Sequence, residues 1–124
     1  MDQKKKILIV EDEVITSLEL KSILMRNGYT VVGAVLTGGD AILEASAKRP
    51  DLILMDIGLI GDMNGVEAAS YIKARYSIPI VFITANTNKI TYDSAMAIKP
   101  AAYIAKPFDE KELLETFRDV LKKE

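Results

Sequence analysis

Five times along this chain a short apolar run gives way to a helix-length stretch, and few folds accommodate that rhythm. The runs are residues 7–10, 30–35, 52–56, 78–84 and 101–106. Runs this short and this apolar predict strands buried on both faces of a sheet. Between them lie stretches rich in helix formers, predicted as helices over 14–27, 40–48, 65–75 and 86–98, with a last one following Asp109 as its cap. Asn27-Gly28, Arg49-Pro50 and Lys99-Pro100 supply stops. Leu36-Thr37-Gly38-Gly39 reads as a loop, with the glycine pair as its turn. Strict alternation of strand and helix argues an α/β fold, a parallel sheet covered by helices on both faces. Right-handed crossovers then bring every strand's carboxyl end to one edge.

The helical stripes assign a first core. Val14, Leu18 and Met25 fall near one face of the first helix, widened by Leu20, Ile23 and Leu24. Val66, Ala69 and Ile72 mark the third helix, and Ile90 and Met96 are the main large apolar residues of the fourth. Leu113, Leu114, Phe117, Val120 and Leu121 form the best stripe, closed by Lys122 and Lys123 where the helix dipole favours cations.

The chemistry gathers at the strand ends. The first run stops in Glu11-Asp12-Glu13, the third in Asp56, the fourth in Thr84 and the fifth in Lys106. Glycines follow Asp56 at Gly58 and Gly61. Like carboxylates at about 4 Å repel by roughly 4 kcal/mol at an effective dielectric near 20, so positive charge must gather there. Lys106 supplies one charge, and a divalent cation would supply two. The chain of 124 residues contains no cysteine and no histidine, so any metal must be held by oxygen. That favours Mg2+, or Mn2+ as a second oxygen-liganded ion, and the carbonyl of Gly58 is a further candidate ligand. A carboxylate held against such an ion can attack a phosphoryl group. Asp56 is the candidate nucleophile, Thr84 the hydroxyl that meets the new phosphoryl, and Ala85 leaves it space.

Composition narrows the rest. One domain over 1–124 fits the length. A net charge of −2 gives no sign of nucleic-acid binding, and Lys4-Lys5-Lys6 reads as a solvated lead-in. No stretch approaches the roughly 20 apolar residues of a membrane span, and no signal peptide is evident. A cytoplasmic location without membrane contact is the expectation.

The segments LIVEDE, LILMDIGLIGDMNG, IPIVFITA and AAYIAKPF together resemble the receiver domain of two-component response regulators, over nearly the whole chain. The resemblance implies a flavodoxin-like (βα)5 sandwich, a doubly wound five-stranded parallel sheet of order 2-1-3-4-5. It implies Glu11 and Asp12 as the metal-binding acidic pair, Asp56 as phospho-acceptor and metal ligand, and Gly58 as a carbonyl ligand. It implies Thr84 and Lys106 at the phosphoryl site, Tyr103 as a switch aromatic, and a cis bond at Lys106-Pro107. A sensor histidine kinase or phosphotransfer domain would be the donor, and an output domain or target protein the reader. The pattern departs from the family after Asp56. The usual Met-Pro is absent and Gly65 comes one residue late, as if one residue were inserted. Lys99-Pro100 also stands where Gly-Ala is usual. Two other readings of the same residues are a docking module that works without phosphorylation and an aspartyl-phosphate hydrolase. Against the latter, its D-x-D motif after the first strand would here read Glu-Asp-Glu.

Overall fold

A computed structural model describes residues 4–59, 61–85 and 88–122. The elements run β1 (Lys6–Val10), α1 (Val14–Arg26), β2 (Thr30–Val35), α2 (Gly38–Lys48), β3 (Leu52–Asp56), α3 (Gly65–Arg75), β4 (Ile80–Thr84), α4 (Lys89–Ala97), β5 (Ala102–Ala105) and α5 (Glu110–Lys122). All pairings are parallel, and the order is β2-β1-β3-β4-β5, as the resemblance implies. The Lys106-Pro107 bond is cis. Among the described residues no helix is long and apolar enough to cross a membrane.

Alternation along the strands builds two cores. Ile7, Ile9, Leu52, Leu54, Val81 and Ile83 face α1 and α5, meeting Leu20, Leu24, Leu113 and Phe117. Leu8, Val10, Ile53, Met55 and Phe82 face the other way, where α2, α3 and α4 present mostly alanines: Ala41, Ala45, Ala68, Ala69 and Ala95. The three central strands are therefore buried on both faces, which is why their sequences read as unbroken apolar runs.

Register sets the site. Val10 pairs with Met55, Asp56 with Ile83 and Thr84 with Ala105, so the strands end nearly level. The Lys106 N–H donates to the Thr84 carbonyl at 2.8 Å, extending this alignment one residue past β5.

Several expectations are corrected. Gly38 and Gly39 are not a turn but the first turn of α2, with the Thr37 hydroxyl accepting from the Asp40 N–H at 3.1 Å. A side chain at Gly38 would press on Met63 and Ala68 at 3.1–3.2 Å, so a glycine lets the helix start against the loop before α3. Val14, Leu18 and Met25 are exposed, and α1 buries Leu20, Ile23 and Leu24 with Ser17. What the stripe treated as the widening is the seam. In α4, Ile90 and Met96 are exposed and Ala95 is the buried residue. β4 begins at Ile80, after Pro79 has passed its carbonyl to the Ile53 N–H at 3.0 Å. Asn86, expected to open the fourth helix, and Lys123 lie outside the described residues.

The late glycine has a definite place. The Gly65 N–H donates to the Ile57 carbonyl at 2.9 Å, and a Cβ there would collide with the Asp56 carbonyl oxygen and lie 2.7 Å from the Ile57 Cα. The start of α3 is thus pressed onto the end of β3. The loop between them is anchored by buried Leu59 and half-buried Met63. Asn64 and Glu67 close it with reciprocal capping bonds of 2.9 and 3.0 Å.

Gly65→Ala is expected to cost more than about 2 kcal/mol of stability, because backbone must move. Lys99 holds φ at 56°, so Lys99→Gly is expected to stabilise the chain by about 1 kcal/mol. Urea denaturation of both variants checks the opposite signs.

Candidate functional site

The level strand ends bring the expected polar residues together. The Glu11 N–H donates to the Val35 carbonyl at 3.0 Å, which carries the chain one residue beyond β1 and turns the Glu11 side chain into the interior. One Glu11 carboxylate oxygen accepts from Lys106 Nζ at 2.7 Å and the other from the Glu13 N–H at 3.2 Å. Asp56, almost fully buried, accepts from the Gly58 N–H at 3.0 Å and from Lys106 Nζ at 3.3 Å. Lys106 Nζ also reaches the exposed carboxylate of Glu13 at 3.4 Å. Among the described residues no buried side-chain polar atom lacks a partner.

Above this network lies a cavity of about 370 Å³ lined by Asp12, Glu13, Asp56, Gly58, Thr84, Ala85 and Lys106. Glu11 lies beneath it and is not part of the lining. Carboxylate oxygens of Glu11, Asp12 and Asp56 come within 4.8 Å of one another. This is an oxygen-only donor set beside water-accessible space, which suits a hard divalent ion. Glu13 adds a fourth acid to the edge against one ammonium, so the local charge also favours a cation.

Burial, foremost, pushes the Glu11 carboxyl up from 4.5 to about 7. The hydrogen bond and charge of Asp56 add to this, while the bond from Lys106 pulls it down. For Lys106, burial works against the charged form, but the Glu11 and Asp56 carboxylates outweigh it and raise its pKa. The ammonium is therefore kept charged.

Tyr103 is not among the residues lining the cavity. It packs half-buried on the α2–α4 side of the sheet, edge-on to Tyr92 of α4, with centroids 5.0 Å apart and planes at 74°. Burial raises its hydroxyl pKa. Two neighbours of the site were not singled out by sequence. Glu13 had a signal, being a third consecutive acid after β1. Tyr92 had none, because a lone aromatic on a weak helical stripe points nowhere by itself. Asn86, which follows Ala85, lies outside the described residues.

The sequence model of the response regulator receiver domain matches residues 7–118. The chain is 33% identical over 110 residues to the transcriptional regulatory protein PdtaR of Mycobacterium tuberculosis, covering 89% of this chain and 53% of that protein. It is 35% identical over 108 residues to the phyllosphere-induced regulator PhyR of Methylorubrum extorquens, covering 86% and 40%. The chain thus spans about half the length of the curated relatives it matches. Among solved structures, the signal receiver domain of a modulated diguanylate cyclase from Desulfovibrio desulfuricans superposes with a TM-score of 0.92 at 34% identity, covering 98% of this chain and 96% of that one. A CheY-like receiver domain protein from Methanospirillum hungatei gives 0.89 at 30% identity, with the same coverage.

Glu11 has a consequence for stability. Between about pH 4.5 and 7 the folded chain keeps a proton that the unfolded chain releases, so stability falls as pH rises through that window. In metal-free buffer the urea midpoint is expected to drop from about pH 5 to 7, and Glu11→Gln to flatten the drop.

Proposed function

This chain belongs to the response regulator receiver domain family, and from that premise we propose that it is a phosphorylation-dependent signalling switch with Asp56 as phosphoryl acceptor. One observation carries the reading: a buried Asp56 shares a single ammonium with Glu11 at the floor of an open, acid-lined cavity. A buried carboxylate fixed by the Gly58 N–H and Lys106 has one oxygen geometry to offer an incoming phosphorus.

In the proposed step an Asp56 oxygen bonds to phosphorus while the bond from phosphorus to the donor breaks. The electron pair leaves with the donor, an imidazole nitrogen or an acyl oxygen. The chain has no histidine, so a phosphohistidine donor belongs to another domain, a sensor histidine kinase or a phosphotransfer domain. Glu11, Asp12, Asp56 and the Gly58 carbonyl are the groups that would hold Mg2+ or Mn2+, which when bound neutralises charge on the phosphoryl oxygens. Lys106, kept charged by its carboxylates, would move its ammonium onto the same oxygens. Thr84 on the cavity wall would donate its hydroxyl to them, and Tyr103 would follow into the space that Thr84 leaves. A downstream output domain or target protein reads the result, a population shift between two states.

Receiver domains are typically non-enzymatic signalling units. The activity proposed for this one is limited to its own phosphorylation and dephosphorylation. The proposal treats 1–124 as a single receiver domain, cytoplasmic, without direct contact to nucleic acid or membrane.

Radiolabelled acetyl phosphate with Mg2+ tests this reading. Wild-type protein is expected to take up label, Asp56→Asn to take up none, and chelation of the metal to slow uptake by at least about tenfold. Undiminished labelling of Asp56→Asn would sink the assignment. No labelling of the wild type would favour a docking module that works without phosphorylation.

A further inference from the structure

The helix beside the switch aromatic is lightly fastened. Along α4, Ala95 is the buried residue, while Ile90 is 77% exposed and Met96 is exposed as well. At its start Asn88 accepts from the Ile90 and Thr91 N–H groups, and just past its end the Lys99 carbonyl accepts from Lys73 Nζ at 2.6 Å. Neither tie reaches β5. A contact that does is the edge-to-face pair of Tyr92 and Tyr103, whose centroid separation and steep interplanar angle lie in the favourable range for aromatic rings. Tyr103 pairs with Phe82 in the sheet, two residues before Ala105, the partner of Thr84. Tyr92 thus touches the strand residue that stands between α4 and the phosphoryl site.

We propose that Tyr92 is a positioning residue for the switch: its ring holds Tyr103 in the observed orientation and makes movement of Tyr103 and of α4 a single event. The inference rests on the switch reading above and adds a residue to it. Any rotation of Tyr103 about its Cα–Cβ bond carries the ring off Tyr92. A ring pair of this kind biases a two-state balance by roughly 2- to 12-fold. Elements with one buried side chain lie at the low-stability end of a fold, so α4 is an element that a single ring contact can bias.

The test uses beryllofluoride with Mg2+, a phosphoryl mimic that binds carboxylates, on the full chain. Tyr92→Ala is expected to bind it roughly 2- to 12-fold more tightly, because the contact opposing the switched state is gone. Tyr92→Phe keeps the ring and is expected to match wild type. In a Tyr103→Ala background the effect of Tyr92→Ala is expected to vanish, since there is no ring left to hold. Fluorotyrosine labelling gives a second readout: in ligand-free Tyr92→Ala the Tyr103 signal is expected to move toward its beryllofluoride-bound position. Unchanged or weaker binding by Tyr92→Ala overturns the proposal, and so does an effect that persists without Tyr103, because it would then run through the fold. If wild-type protein binds no beryllofluoride, the switch reading falls and this inference with it. Wild-type binding with an inert Tyr92 removes this inference alone.

Discussion

One ammonium holds the working edge of this sheet together. Lys106 Nζ meets a carboxylate from the end of β1 at 2.7 Å, another from the end of β3 at 3.3 Å, and a third from the residue before α1 at 3.4 Å. Taking the ammonium and the first two carboxylates out of water costs several kcal/mol per ion, and only close partners offset it, while the third, Glu13, stays exposed. The arrangement therefore holds as a set. It also requires the sheet to be in register, since the lysine is placed by its own backbone N–H on the Thr84 carbonyl. Topology thus becomes electrostatics: parallel strands with a common direction deliver unlike charges to one small volume. The acids outnumber the ammonium, and this imbalance leaves the edge receptive to a cation.

Much of this was legible from the residue string, for a physical reason. Strands buried on both faces tolerate few polar residues, so the first polar residue after each run marks a strand end. Glu11, Asp56, Thr84 and Lys106 were found that way, and parallel crossovers then required them to converge. β2, β3 and α3 have the expected bounds. The helix faces were less legible. Periodicity in α1 ranked Val14, Leu18 and Met25 with the core, yet all three are exposed. A periodic stripe says which residues share a face, and the angle at which a helix meets its sheet decides which part of a broad stripe is covered. In α4 the stripe was poor because a single alanine does the packing. The Gly38-Gly39 pair misled for the opposite reason. Glycine usually marks a turn, whereas here a neighbouring loop needs the room inside a helix start. Tyr92 depends on a tertiary contact and leaves no trace in local sequence.

The loop after Asp56 is tied at both ends next to the site. Gly65 is pressed against the end of β3, and the segment between has two fixed points, the Gly58 N–H on Asp56 and the Gly65 N–H on Ile57. These two bonds fix the Asp56 carboxylate and the start of α3 relative to each other.

The two sides of the sheet are filled differently. Toward α1 and α5 the helices contribute leucines, an isoleucine, a valine and a phenylalanine, while toward α2, α3 and α4 they contribute mostly methyl groups. A layer spaced by methyls has the helix backbones riding close to the strands, so the helices themselves contribute little side chain that could rearrange. Sequence drift is thereby channelled: the leucine side can trade shapes among neighbours at constant volume, whereas each alanine on the other side is a fixed shim. Thickening one of them would push a helix off the sheet. Lineages of this domain should therefore diversify their cores on one face and keep the other thin.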